Sequence, residues 1–298
     1  MTANTTIPPD FDYTVAFSRN LGLVDSEEQE RLRKSRVAVL GLGGVGGVDL
    51  VTLARMGIGR FSIADPDTFE LANFNRQYGA FLSTLERPKA EVMAEIVLDI
   101  NPEADVRVFR EPIGPDNVDA FLKDADVLVD GIDAFVIDVR RMVYRKAREA
   151  GIYALGAGPV GFSTVWIVFS PDGIRFDDYF DLHDDMDPVE QFAAYVIGMA
   201  PKGLQRRYLD LSHVDARRHR GPSLACACQL AAGVVGAEVT KILLGRGRIY
   251  AAPHYHQFDP YVDRYMRRRL LFGNRHPLQR LKRRWLTNFL KRNLNEES

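Results

Sequence analysis

Charged and glycine residues cluster in the first half of the chain in a pattern suited to phosphate chemistry. Gly41-Leu42-Gly43-Gly44-Val45-Gly46-Gly47 is followed by Asp65-Pro66-Asp67, by Asn73-Phe74-Asn75-Arg76-Gln77 and by Arg87-Pro88-Lys89. A second acidic motif, Asp130-Gly131-Ile132-Asp133, lies further on. Glycines at 41, 43 and 46 make a GxGxxG turn, which lets a phosphate approach backbone N–H groups at a helix start. Asp65 stands where an acid that binds a ribose hydroxyl is expected. Those glycines alone do not tell a dinucleotide from ATP. The cations that follow do bear on the choice. An Arg and a Lys beside the phosphates suit an enzyme that stabilises negative charge building on an α-phosphate. Taken singly, Arg76 and Lys89 read as surface charges; their joint spacing favours the site.

These residues need a frame, and the hydrophobic pattern supplies one. Residues 36–40 (RVAVL) and 60–64 (RFSIA) are short apolar runs of the buried parallel-strand kind. Residues 105–109, 126–130 and 152–157 read as further strands. Helical patterns fall at 25–34, 48–56, 89–100, 115–123 and 136–150, with Pro88 as a start signal. The alternation predicts an α/β fold: a Rossmann-like doubly wound sheet, mainly parallel. Residues 162–169 leave no room for a crossover helix, so an antiparallel continuation is expected there. Residues 222–244 read as a long apolar helix closed by Gly245, and 249–265 as two short strands.

The combination of Gly41-x-Gly43-Gly44-x-Gly46, Asp65-x-Asp67, Asn73-x-Asn75-Arg76-Gln77 and Pro88-Lys89 resembles the ubiquitin-activating and ThiF-type adenylyltransferases. The resemblance extends to Phe17-Ser18-Arg19-Asn20, Ile100-Asn101-Pro102 and Asp130-Gly131-Ile132-Asp133. It covers residues 13–170 well, weakens over 222–246 and is lost between. It implies an ATP-dependent enzyme that activates a carboxylate as an acyl-adenylate, with Mg²⁺. Gly41, Gly43, Gly44 and Gly46 would hold the phosphates, and Asp65 the ribose. Asp67 and Asn73 would shape the phosphate site. Arg76 and Lys89 would contact the triphosphate, with Gln77 nearby. Asp133 would hold Mg²⁺, although an Asp there also suits a helix cap. Arg19 resembles a residue that reaches the nucleotide of a partner subunit, which implies a homodimer. A ubiquitin-like sulfur carrier, a ribosomal peptide or a small acid would be the carboxylate substrate.

Departures from the family pattern narrow the chemistry. Many relatives hold zinc with two CxxC pairs, and this chain has only Cys226 and Cys228. No zinc is expected, because a tetrahedral site needs four ligands. Residues 171–220 contain no cysteine, so a bound or external nucleophile is expected to finish the reaction. Cys226 and Cys228 read as small apolar fillers rather than nucleophiles, a role that would require one of them exposed near the site, and the six histidines show no ligand spacing. Ala134 replaces the polar residue that usually follows the metal-binding Asp.

Composition and organisation are ordinary for a globular protein. Hydrophobic residues make up 46% and charged residues 27% of the 298 residues, with a net charge of −1. That balance argues against a general nucleic-acid partner. No apolar run of membrane length and no signal peptide is expected, and the cysteine usage suits a cytoplasmic setting. An N-terminal arm (1–24), an adenylation domain (25–265) with an irregular substrate region (171–221), and a basic tail (266–298) are expected. Phe176-Asp177-Asp178-Tyr179-Phe180 with Asp184 and Asp185 reads as an acidic, aromatic loop, either solvated or clasping a substrate tail. Leu278, Leu281, Trp285 and Phe289 fall at helical spacing among arginines. Docking of that stripe on the domain is favoured over peripheral contact with a membrane. Two other functions share this sequence logic: an oxidoreductase that binds NAD, and a non-catalytic scaffold of the same fold.

Overall fold

The computed structural model describes residues 11–214 and 221–296. Short helix α1 (Tyr13–Ala16) leads to α2 (Ser26–Lys34), which opens with a reciprocal cap between Asp25 and Glu28. The chain then winds through β1 (Arg36–Leu40), α3 (Gly46–Arg55), β2 (Arg60–Ala64), α4 (Lys89–Ile100), β3 (Asp105–Phe109), α5 (Val118–Leu122), β4 (Val127–Asp130), α6 (Ile137–Glu149) and β5 (Tyr153–Val160). Next come β6 (Ser163–Phe169), α7 (Phe176–Phe180), α8 (Pro188–Met199), α9 (Ala225–Leu244), β7 (His254–Asp259), β8 (Arg264–Arg269) and α10 (Pro277–Glu296).

All the strands join one sheet in the order β3-β2-β1-β4-β5-β6-β7-β8. The first five are parallel and the last three antiparallel. β1 and β4 are wholly buried, as helices on both faces of a parallel sheet require. On one face α3, α4 and α9 pack around Leu50, Val97, Val235 and Val239. On the other, α5, α6 and α7 pack around Phe121, Val143, Tyr144 and Phe180. The strand order reverses between β1 and β4. In such sheets the crevice beyond the carboxyl ends at that reversal is where ligands bind.

Three regions differ from the sequence-based expectation. The acidic, aromatic stretch is no loop. It forms α7, with Phe176, Tyr179 and Phe180 buried, because three large apolar groups within five residues are better placed in the core. Its carboxylates are paired instead: Asp177 with Arg141, and Asp178 with Arg175 and Arg275. The segment after it also contains the twelve-residue α8, whose N-cap is Asp187. At the C-terminal end, β8 runs across the expected boundary at 265/266, and α10 docks on α8 through Leu286 and Leu290. Leu278, Leu281 and Trp285 are left exposed at 61%, 65% and 47%, so most of the expected docking stripe faces outward. Finally, α9 is long and apolar enough to cross a bilayer, which the sequence reading did not foresee. Its Ala227, Ala231, Val235 and Val239 are buried, as in a core helix.

Candidate nucleotide site

The glycine turn links β1 to α3 at the strand reversal. Gly41 has φ +84°, and a β-carbon there would lie 2.5 Å from the Gly131 carbonyl oxygen. A β-carbon on Gly46 would lie 1.8 Å from the Gly41 carbonyl oxygen. These glycines therefore let the turn after β1 close against the turn after β4. Gly44 is crowded for another reason: its β-carbon would meet Arg76 Cγ and Cys228 Sγ, each at 3.2 Å. Gly43 carries no such constraint, with Gln77 Nε2 at an ordinary 3.6 Å.

The carboxylate of Asp65, at the end of β2, is fixed by two backbone donors. Leu42 N–H donates to Oδ2 at 2.7 Å, and Asp67 N–H donates to Oδ1 at 2.9 Å. Asp65 thus ties the glycine turn to the segment that carries the cations. Each carboxylate oxygen retains a second lone pair. Burial raises the Asp65 pKa, against the opposing pull of the Lys89 charge and the two N–H donors. Lys89 opens α4 and is itself buried. Its Nζ donates to Asp67 Oδ2 at 2.9 Å and lies 4.0 Å from Asp65 Oδ1.

Arg76 is half-buried, with its stem over Gly44. Its Nη1 is held by the Ala72 carbonyl at 3.0 Å and by Asn75 Oδ1 at 2.9 Å. No carboxylate pairs with it among the described residues, so its charge is available to an anion. Gln77 is buried beside Gly43, and its Oε1 has no partner. Asn73 accepts the Glu70 N–H at 2.9 Å through Oδ1, which shapes the turn that presents Arg76. Asn75 Nδ2 donates to the Ser223 carbonyl at 3.0 Å and ties this turn to the approach to α9. Gly41, Gly43, Gly44, Gly46, Asp65, Asp67, Asn73, Arg76, Gln77 and Lys89 therefore form one connected patch.

Asp133 is exposed on the loop after β4, and its Oδ1 accepts the Phe135 N–H at 3.0 Å. It does not cap α6, which begins at Ile137 with Val136 in the capping position. The loop is held from beneath by Arg140, which is 1% exposed. Arg140 Nε donates to Asp130 Oδ2 at 2.6 Å, Nη2 to the Ile132 carbonyl at 2.6 Å, and Nη1 to the Asp133 carbonyl at 3.3 Å. Tyr144 OH also donates to Asp130 Oδ2, at 3.1 Å. The sequence reading missed this network. Arg140 and Tyr144, one helical turn apart on α6, were the available signal. Asp49 was missed too. It lies fully buried in the first turn of α3, with neither oxygen partnered, and burial with the nearby Asp130 charge raises its pKa well above the carboxylate range.

Arg19 is not part of this patch. The arm that carries it docks at the far end of α3, where Asn20 Nδ2 donates to the Met56 carbonyl at 3.1 Å. The ten-residue α3 spans about 15 Å. Arg19 itself is exposed and has no ion pair among the described residues. Of the cysteines, Cys226 is exposed and Cys228 is buried, its thiol pushed up to about 11 by burial. No group of three or more metal-ligating side chains assembles among the described residues.

Comparison with known proteins identifies the family and the fold. The profile of the ThiF family matches residues 17–281. The chain is 37% identical over 127 residues to a tRNA threonylcarbamoyladenosine dehydratase of Bacillus subtilis, covering 42% of this chain and 50% of that protein. It is 29% identical over 236 residues to the probable adenylyltransferase/sulfurtransferase MoeZ of Mycobacterium tuberculosis, covering 78% of this chain and 54% of that protein. The chain spans about half the length of these curated relatives. Among solved structures, E. coli MccB with ATP superposes with a TM-score of 0.64 at 20% identity, covering 87% of this chain and 71% of that one. That likeness establishes the fold.

Proposed function

Because this chain belongs to the ThiF family, we propose that it is an ATP-dependent adenylyltransferase that converts R-COO⁻ and ATP to R-CO-AMP and pyrophosphate. One observation supports the reading: Arg76 lies over Gly44, and Lys89 is linked to the same turn through Asp65, which accepts the Leu42 N–H. The similarity to MoeZ, named as an adenylyltransferase, and to MccB, solved with ATP, supports it.

The substrate carboxylate attacks the α-phosphorus in line, and the P–O bond to the leaving pyrophosphate breaks. No general base is needed, because the nucleophile is already an anion. Catalysis is then orientation and charge stabilisation. The glycine turn and the start of α3 offer backbone N–H groups to the phosphates. Arg76 and Lys89 supply positive charge where negative charge grows, a contribution worth about 100- to 1000-fold per donor in comparable sites. Asp65, already oriented by two backbone donors, takes the ribose hydroxyls. Asp133 suits Mg²⁺, since its Oδ2 accepts no hydrogen bond among the described residues and Arg140 ties the carbonyls of its loop. When bound, that ion would neutralise the leaving pyrophosphate. With no ligand cluster among the described residues, it would arrive with the nucleotide.

A homodimer completes the proposal. Arg19 belongs to the arm that docks at the end of α3 away from its own glycine turn, and in this reading it serves the partner's site. A ubiquitin-like carrier, a ribosomal peptide or a small acid supplies the carboxylate, and the setting is cytoplasmic. The family match disfavours the oxidoreductase reading. Exchange of labelled pyrophosphate into ATP, run against a panel of carboxylates and small carrier proteins, tests the activity. Stabilisation by NAD(H) but not by MgATP in a thermal-shift assay would overturn it.

A further inference from the structure

A cavity of about 610 Å³ shares none of the glycine, cation and carboxylate residues of the nucleotide patch, and Tyr144 in its lining also bonds Asp130 beneath the Asp133 loop. It sits on the face of the sheet opposite α3, at the amino end of β5. There Ile152 and Ala154 face the second half of α6, the end of β6 and α7. The volume falls in the range of small-molecule sites, about 300–1000 Å³.

The lining has two parts. The floor is apolar: Tyr144, Ile152, Phe169, Phe176 and Leu182 are each 7% exposed or less. The wall carries five arginines, at 141, 145, 148, 175 and 275, against three carboxylates, Glu149, Asp177 and Asp178, and His183. Three of the arginines are neutralised within the protein. Arg141 makes a two-pronged contact with Asp177, with both distances 3.0 Å. Arg175 does the same with Asp178, and Arg275 reaches Asp178 and Asp181. The other two are held more loosely. Arg148 donates to the Gly173 carbonyl at 2.6 Å and pairs with no carboxylate among the described residues, and Arg145 makes one long ion pair, 3.7 Å to Asp177, which Arg141 already engages. Both sit on the same side of α6, three residues apart. A guanidinium with unused donors is a fork for a carboxylate or a phosphate.

We propose that this cavity binds an amphipathic organic anion: a carboxylate or phosphate head held by Arg145 and Arg148, with an apolar body on the Tyr144–Phe169–Phe176 floor. The ligand is distinct from the carboxylate that reacts, because the cavity lies on the other face of the sheet from α3. The inference does not depend on adenylation.

The whole 298-residue chain is titrated by calorimetry with octanoate, with phenyl phosphate and with inorganic phosphate. The two amphipathic anions are expected to bind, and their relative affinities identify the preferred head. Inorganic phosphate is expected to bind at least tenfold more weakly. The variant R145Q/R148Q should lose at least tenfold in affinity for the preferred anion while binding MgATP as the wild type does. If that variant does not fold, Ile174→Trp, which narrows the cavity from the Ser170–Ile174 turn, replaces it with the same expectation. Failure of both organic anions to bind, equal binding of inorganic phosphate, or undiminished binding by a folded variant would each overturn the proposal.

Discussion

Replacing Arg140 with Met should damage both stability and the nucleotide site, and the two effects can be separated. The guanidinium is 1% exposed and bonds Asp130 Oδ2, the Ile132 carbonyl and the Asp133 carbonyl. Its charge lies against Asp130, whose side chain is 2% exposed. Met fills much of the volume but leaves that carboxylate buried with no cation, held only by Tyr144 OH and the Ile132 N–H among the described residues. Breaking one side of a buried pair costs about 3–5 kcal/mol. With an unfolding entropy of about 2.1 cal/mol/K per residue over 298 residues, 4 kcal/mol corresponds to a Tm lower by roughly 6 °C. Calorimetric melting of wild type, Arg140→Met, Asp130→Asn and the double variant forms a cycle. The double variant should recover much of the loss, since removing both charges is far less costly than removing one. It should not recover MgATP affinity, because the two loop carbonyls remain untethered. A single variant that melts within 1 °C of wild type, or a double variant no better than the single, would refute this reasoning.

Further predictions concern the turn and two buried titratable groups. Gly46→Ala places a carbon 1.8 Å from the Gly41 carbonyl oxygen, so the turn must open; MgATP affinity measured by calorimetry should fall at least tenfold even if a folded protein is recovered. Asp49 has a raised pKa from burial, so its folded form increasingly disfavours the charged state as pH rises above the ordinary carboxylate range. Asp49→Asn should therefore gain stability over wild type at pH 8 relative to pH 5, and an advantage that does not grow with pH in denaturant melts would count against this. His256, stacked on Trp166 at 4.5 Å, is held down to about 4, chiefly by burial, against an ordinary 6.5. Its neutral form contributes stability above pH 6.5 that is lost as pH falls towards 4, about 3 kcal/mol at most. His256→Phe should flatten that part of the wild-type profile.

The parallel half of the fold was legible because each strand is a short apolar run that stops at a turn signal. Residues 36–40 and 60–64 gave their strands to the residue, and Pro88 marked the start of α4. Gly245, in the left-handed conformation after α9, was equally readable. The segment from 171 to 221 was not. α7 is only five residues long, and its aspartates look solvent-facing until Arg141 and Arg275 arrive from elsewhere in the chain. In α10 the helical spacing was correct but the face was not. Leu286 and Leu290 dock on α8, and composition alone does not rank them above Leu281 and Trp285. At the site, the cations and the glycines stood out as motifs. Arg140 and Asp49 did not, since burial decides their roles and sequence does not display burial.

The central claim is that Arg76 and Lys89 act on a nucleotide triphosphate at the glycine turn. Calorimetric titration of MgATP into wild type, Arg76→Ala and Lys89→Met tests it most directly, with circular dichroism to verify folding. Wild type should bind, and each folded variant should bind at least tenfold more weakly. Wild-type affinity in either variant, or binding of NAD(H) in place of MgATP by the unaltered chain, would contradict the account.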